Sequence, residues 1–252
     1  MSRFVLVHGA WHDGRCWAPL VDELTARGHT AIAVDLPSDR PGLGAVDYAE
    51  TVGTAVAADP EPCVLVGHSL GGLTVPVVAQ RARRDRVAAM VLVATLMPRP
   101  GVSFDEQSRA DPGVMAEGFG RGQQRHEDRT TSWPAEAAKA DLYRGVAEES
   151  SEEVVDRAVA GLRRQAWTIG REVTPLTAWP EVPTTVVVCT GDRVVAPDRL
   201  HERGLALLRA TVVDLPGGHF PMLTRPVALA DVLVAAAARA ATAQESAPQS
   251  AL

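Results

Sequence analysis

Lysine is almost missing from this 252-residue sequence: Lys139 is the only one, and the remaining positive charge is carried by arginine. With 31 acidic against 25 basic residues the net charge is −6, and no basic stripe is interleaved with aromatics. Nucleic acid is therefore excluded as an expected partner. Cysteine is also scarce. Cys16, Cys63 and Cys189 lie far apart and form no CxxC pair, which excludes a disulfide framework and a zinc site and predicts reduced, buried thiols. There is no HExxH, no GxxxxGK[ST], and no GxGxxG after a strand, so neither a metal enzyme nor a nucleotide binder is expected. No stretch approaches about eighteen consecutive apolar residues, and the first apolar run, Phe4–Val7, is too short for a signal-peptide core. No membrane-spanning helix is predicted, and a cytoplasmic protein is the expectation. No internal repeat is apparent.

What is present is a large apolar fraction, 46% of residues, enough for one substantial core. Short β-branched runs alternate with helical patterns. "FVLV" (4–7), "TAIAVD" (30–35), "CVLV" (63–66), "RVAAMVLVAT" (86–95), "TTVVVCT" (184–190) and "ATVVDL" (210–215) read as strands. Helical spacing covers 17–28, 46–58, 70–83, 198–208 and 226–241. The strand runs are continuously apolar rather than alternating, as in strands covered on both faces. The prediction is an α/β fold: a mostly parallel six-stranded sheet with helices on both faces. Residues 1–96 and 175–241 form this core. Residues 97–174 hold no convincing strand but much helix-like sequence. They read as a helical cap inserted over the carboxyl edge of the sheet, where open α/β sheets bind ligands. Residues 242–252 read as a disordered polar tail. Pro76 falls inside the predicted helix 70–83, where it removes a backbone bond and predicts a kink.

The chemistry concentrates in "CVLVGHSLGG". Gly67-His68-Ser69-Leu70-Gly71 fits G-x-S-x-G, with a strand before it and a helix after it. Such a corner forces strained dihedrals on the serine and requires neighbours without side chains. A plain tight turn is the alternative. The helix start also directs unpaired N–H groups at that point. A serine hydroxyl needs a base, and the base needs an orienting acid. Asp192 ends one strand and His219 follows another, in the order Ser, Asp, His. Asp198 reads as a helix start and Asp214 as a strand residue, so Asp192 is preferred. His126 lies in the insertion and reads as solvated, and His8 as a brace for its loop. Negative charge on an attacked acyl oxygen calls for two preset N–H donors. Leu70, after the serine, and Ala10, after Gly9 in "VLVHGAWHDGRCW", fit that role.

These residues resemble the α/β-hydrolase family. More narrowly, "HGAWHDGRCW", "LVGHSLGG" and "GGHFPMLTRP" are similar to the branch holding plant methyl esterases, hydroxynitrile lyases and related bacterial hydrolases. The resemblance spans nearly the whole chain, weakly within 97–174. It implies a triad of Ser69, Asp192 and His219, oxyanion donors at Ala10 and Leu70, a helical cap and no cofactor. Lyases of the branch typically carry threonine where this chain has Gly9, and lysine where it has Phe220. Phe220 cannot stabilise a departing cyanide, which favours an esterase. Asp13 and Arg15 depart from the branch, placing charge where it has small or aromatic residues. The expected function is hydrolysis of a small, fairly apolar carboxylic ester, with Trp11, Met97, Met115, Phe119, Trp133 and Phe220 as candidate pocket walls. The alternatives are a lyase, decarboxylase or cyclisation enzyme on the same fold, and a ligand-binding protein with a vestigial site. Turnover with a trapped acyl-serine, turnover without one, and tight binding without turnover separate the three.

Overall fold

A computed structural model describes residues 1–83, 85–208 and 210–246. Its central sheet has six parallel strands in the order β2-β1-β3-β4-β8-β9. They are β1 (Arg3–Val7), β2 (Thr30–Val34), β3 (Cys63–His68), β4 (Val87–Val93), β8 (Thr184–Cys189) and β9 (Thr211–Leu215). Each coincides with an apolar run read from the sequence, to within two residues at either end. The four inner strands are almost wholly buried, because helices cover both faces. The edge strands β2 and β9 are partly exposed. All connections are crossovers, so the carboxyl ends of the strands point the same way and present their loops on one edge.

Helix Pro226–Ser246 is long and apolar enough to cross a membrane on length and composition alone. Here it packs on the sheet through one face and leaves the other exposed. Leu229, Ala230, Leu233, Ala236, Ala237 and Ala240 form a buried stripe at helical spacing, and the helix packs on β4, β9 and helix Ala18–Ala26. It also corrects the tail boundary. Residues 242–246 continue the helix, and the remainder of the expected tail, 247–252, lies outside the described residues.

The helix expected over 70–83 is divided. Ser69–Leu73 forms a 3-10 turn, and an α-helix starts afresh at Val75 and runs to Arg81. Pro76 therefore occupies the first turn of the second helix and produces no kink. The N–H it lacks is one that has no intrahelical partner at that position anyway.

The segment between β4 and β8 is not purely helical. It contains a three-stranded antiparallel sheet of β5 (Gln124–Arg125), β6 (Thr130–Ser132) and β7 (Gln165–Ala166). Strands of two or three residues carry no detectable period in sequence. The pairing of β6 with β7 joins residues 34 positions apart, such as Thr131 and Gln165, and is decided by tertiary contact. The helix-like stretches 135–149 and 151–167 are also broken: Gly145, at φ +89°, interrupts the first, and the helix in the second stops at Ala160, before β7. This segment lies against loops that follow the sheet strands. Arg163 N–H donates to the Trp11 carbonyl (2.8 Å), Ala166 N–H to that of Ser38 (2.7 Å), and Ala116 N–H to that of Val194 (2.9 Å).

Candidate active site

Ser69 stands at the carboxyl end of β3, at the first residue of the 3-10 turn. Its φ is +50°, a left-handed conformation that costs a non-glycine residue ~1–3 kcal/mol. The corner is held by close packing at glycine. A methyl group on Gly71 would stand 2.7 Å from the Val7 carbonyl oxygen and 2.9 Å from that of His8. Both are main-chain atoms of the β1 end and cannot yield. Gly71→Ala is therefore expected to destabilise the protein by ~1–3 kcal/mol, seen as a lower urea midpoint. An alanine variant with native stability would contradict this packing. Gly9 plays the matching part in the β1 loop, where an added Cβ would stand 2.8 Å from Ser69 Cβ.

His219 Nε2 lies 3.0 Å from Ser69 Oγ, and His219 Nδ1 lies 2.8 Å from Asp192 Oδ2. The carboxylate accepts from Nδ1–H, which leaves Nε2 as the acceptor for the serine hydroxyl. Asp192 is fixed in turn, because its Oδ1 accepts from the N–H groups of Val194 (2.7 Å) and Val195 (3.0 Å). Adjacent parallel strands bring the acid and the imidazole together. β8 and β9 pair up to Cys189 and Leu215, and the loops stay joined beyond them through Gly191 N–H to the Gly217 carbonyl (2.9 Å). Asp198 lies in the first turn of helix Pro197–Leu208 and Asp214 within β9, as the sequence indicated. Such a chain can draw the proton from the hydroxyl and create a nucleophile.

Three further histidines surround this chain, and all are buried and neutral. His8 accepts at Nε2 from Leu36 N–H (3.0 Å) and donates from Nδ1 to the Gly9 carbonyl (2.8 Å). It braces the loop, as expected, and burial lowers its pKa to about 4. His12 donates from Nδ1 to the Ala10 carbonyl (2.6 Å) and accepts from the Tyr143 hydroxyl at Nε2 (2.7 Å). Burial lowers its pKa to about 4 as well. His68 donates from Nε2 to the His219 carbonyl (2.8 Å), and burial holds its pKa well below 6.5. The support given by His12, Tyr143 and His68 was not legible in the sequence. The only trace was a histidine in the variable position of G-x-S-x-G.

A cavity of about 390 Å³ opens above Ser69. Ala10 and Leu70 line it, as do Trp11, Met115, Phe119 and Phe220 from the expected walls. Two candidates do not. Met97 is a core residue, 2% exposed, in the chain just beyond β4. Trp133 stands behind the wall, its ring 5.5 Å from Trp11 and 5.7 Å from Phe119. Both follow the general rule that large apolar side chains are more often packed inside than presented to a ligand. Trp167, which nothing in the sequence singled out, lines the cavity instead. Asp13 and Arg15 do not line it. They pair with each other (2.5 Å), and Asp13 caps the turn Gly14–Trp17 through Arg15 N–H (2.9 Å). His126 also stands apart from the cavity and bonds Ser132 Oγ (2.8 Å). All three cysteines are free, with Cys63 and Cys189 buried and Cys16 partly so.

A parallel sheet with a strained serine at a strand-to-helix corner, hydrogen-bonded to a histidine that in turn bonds an aspartate, both from later strand ends, defines an α/β-hydrolase-type architecture. The model of the alpha/beta hydrolase family matches residues 4–232, and the chain belongs to that family. Among curated relatives it is similar to esterase PIR7B of Oryza sativa subsp. japonica, 42% identical over 110 residues, 40% of this chain and 41% of that protein. The chain thus spans about two-fifths of the length of the rice esterases it matches. Methylesterase 2 of Arabidopsis thaliana is 26% identical over 265 residues, covering 94% of this chain and 96% of that one. Among solved structures, the pyrethroid hydrolase of Sphingobium faniae JZ-2 superposes with a TM-score of 0.78 at 22% identity, over 96% of this chain and 99% of the other. At that identity the likeness is one of fold.

Proposed function

We propose that the protein is a serine esterase that cleaves a small, fairly apolar carboxylic ester through an acyl-enzyme on Ser69. The observation that carries this reading is the Ser69–His219–Asp192 chain, with spacings of 3.0 and 2.8 Å, opening into a largely apolar cavity. Relatives named esterase and methylesterase agree with it. Ser69 Oγ attacks the ester carbonyl carbon as its proton passes to His219 Nε2. The carbonyl π bond opens onto oxygen, and the N–H groups of Ala10 and Leu70 receive the oxyanion. As the tetrahedral species collapses, the C–O bond to the alcohol breaks and the alcohol leaves with the proton from His219. Water then repeats the sequence on the acyl-serine and releases the acid. The residue after His219 is the buried Phe220, not the lysine that lyases of the branch typically carry, which suits ester hydrolysis better than release of cyanide. The residues between β4 and β8 act as the cap that excludes water from this step.

A fluorophosphonate probe is expected to label Ser69 covalently, with the adduct located by peptide mass spectrometry. Short-chain p-nitrophenyl esters are expected to turn over with a burst. Absence of both labelling and turnover would sink the proposal.

A further inference from the structure

The sequence holds five tryptophans, four phenylalanines and two tyrosines, yet Trp11, Trp167, Phe104, Phe119 and Phe220 all line the single cavity above Ser69. Two of these rings are tied to one atom. The indole N–H of Trp11 donates to Thr131 Oγ1 (2.9 Å), and the indole N–H of Trp167 donates to the same oxygen (2.8 Å). Thr131 is on β6 and is buried, 6% exposed. A hydroxyl oxygen has two acceptor sites, and the two indoles fill both.

The result is a fixed corner. The Trp11 and Trp167 rings meet edge-to-face, with centroids 5.5 Å apart and planes at 69°. Trp133 backs Trp11 from another side, again edge-to-face. The Trp11 backbone is equally constrained. Its φ is +63°, its carbonyl accepts from Arg163 N–H (2.8 Å), and its N–H points to Gln165 Oε1 (3.4 Å). Rotating Trp11 would strand a buried N–H donor, and rotating the half-buried Trp167 would break its bond to the same oxygen. The two walls are therefore set before any ligand arrives.

Resting on the esterase reading above, we infer that Thr131 is a positioning residue that sets the acyl specificity, holding Trp11 and Trp167 as a rigid slot that selects esters of flat, ring-bearing acids. A ring can meet one indole face-on and the other edge-on without losing internal freedom. A flexible chain of equal size must surrender its rotamers to lie there. These walls are assigned to the acyl group, the part retained on Ser69 after the alcohol departs.

The test compares methyl benzoate with methyl heptanoate, which have the same number of non-hydrogen atoms. Thr131→Val keeps the shape and removes the acceptor, whereas Thr131→Ser keeps the acceptor. Thr131→Val is expected to lower the benzoate-to-heptanoate ratio of kcat/KM about tenfold, mainly through KM. Thr131→Ser is expected to retain the wild-type ratio. Thr131→Ala replaces the valine variant if the latter does not fold, with the same expectation. Binding of methyl benzoate to Ser69→Ala, followed by tryptophan fluorescence, reads the slot without turnover, and adding Thr131→Val is expected to weaken it about tenfold. Folded variants lacking the hydroxyl with unchanged ratio and unchanged affinity overturn the inference. Hydroxyl-dependent binding with no turnover of any ester supports the slot and overturns the esterase reading alone.

Discussion

Replacing His219 with alanine is expected to lower kcat on any accepted ester by ~10⁴–10⁶-fold, because the serine then has no base and the departing alcohol no acid. His219 is the imidazole that the fold sets against the hydroxyl, 3.0 Å from Ser69 Oγ, whereas the second ring nitrogen of His8 is taken up by Leu36 N–H and that of His12 by the Tyr143 hydroxyl. Asp192→Asn is the more telling variant. The oxygen at the Oδ1 position must still accept from the Val194 and Val195 N–H groups. That requirement directs the new amide NH₂ to the Oδ2 position, 2.8 Å from His219 Nδ1. The amide donates there, so Nδ1 becomes an acceptor and the ring proton moves to Nε2. Nε2 then faces Ser69 already protonated and cannot take the hydroxyl proton. A fall in kcat of ~10⁴-fold is expected, with KM and thermal stability little changed. Steady-state kinetics and a thermal melt on the same preparation check this. An asparagine variant retaining a tenth or more of wild-type kcat would remove Asp192 from the mechanism.

The second large effect concerns pH. His8 and His12 have folded pKa values lowered from 6.5 to about 4 by burial, and His68 moves the same way for the same cause. An unfolded chain titrates these rings near 6.5 and so binds more protons than the folded one between the two values. Stability is therefore complete above about pH 6.5 and is lost as pH falls toward the folded values. Between about pH 7 and pH 5 each of His8 and His12 removes ~2 kcal/mol, and His68 adds to the loss. For a domain of this size that lowers Tm by roughly 10–20 °C. The structural event is specific. A protonated His8 can no longer accept from Leu36 N–H, nor a protonated His12 from Tyr143. Thermal melts at the two pH values measure the slope, and His12→Gln is expected to flatten it. A Tm that stays within about 3 °C over this range is incompatible with three buried neutral imidazoles.

The six sheet strands and the serine corner could be read in advance because each is a local signal. Four to seven consecutive apolar residues need no partner to be recognised, and G-x-S-x-G states its steric demand within five positions. Chain order located Asp192 and His219, since each directly follows a strand run. The segment 97–174 carries weaker local signals. Its strands are too short to show a period, and its helices are broken at Gly145 and before β7. Met97 and Trp133 were plausible walls by chemistry alone. Whether a large apolar side chain faces a cavity or a core depends on what packs behind it, and the sequence holds no trace of that. Trp167 carries no local mark as a wall for the same reason.

The chain by itself determined the strands, the corner at Ser69 and the identity of its two partners, because backbone sterics and apolar runs act over a few residues. Tertiary structure alone decided the distances in the Ser69–His219–Asp192 chain, the neutrality of the histidines around it and the ring corner on Thr131. Those properties arise from burial and from donors meeting acceptors more than a hundred residues away, such as Trp11 and Thr131, 120 positions apart, which only the packed fold brings into contact.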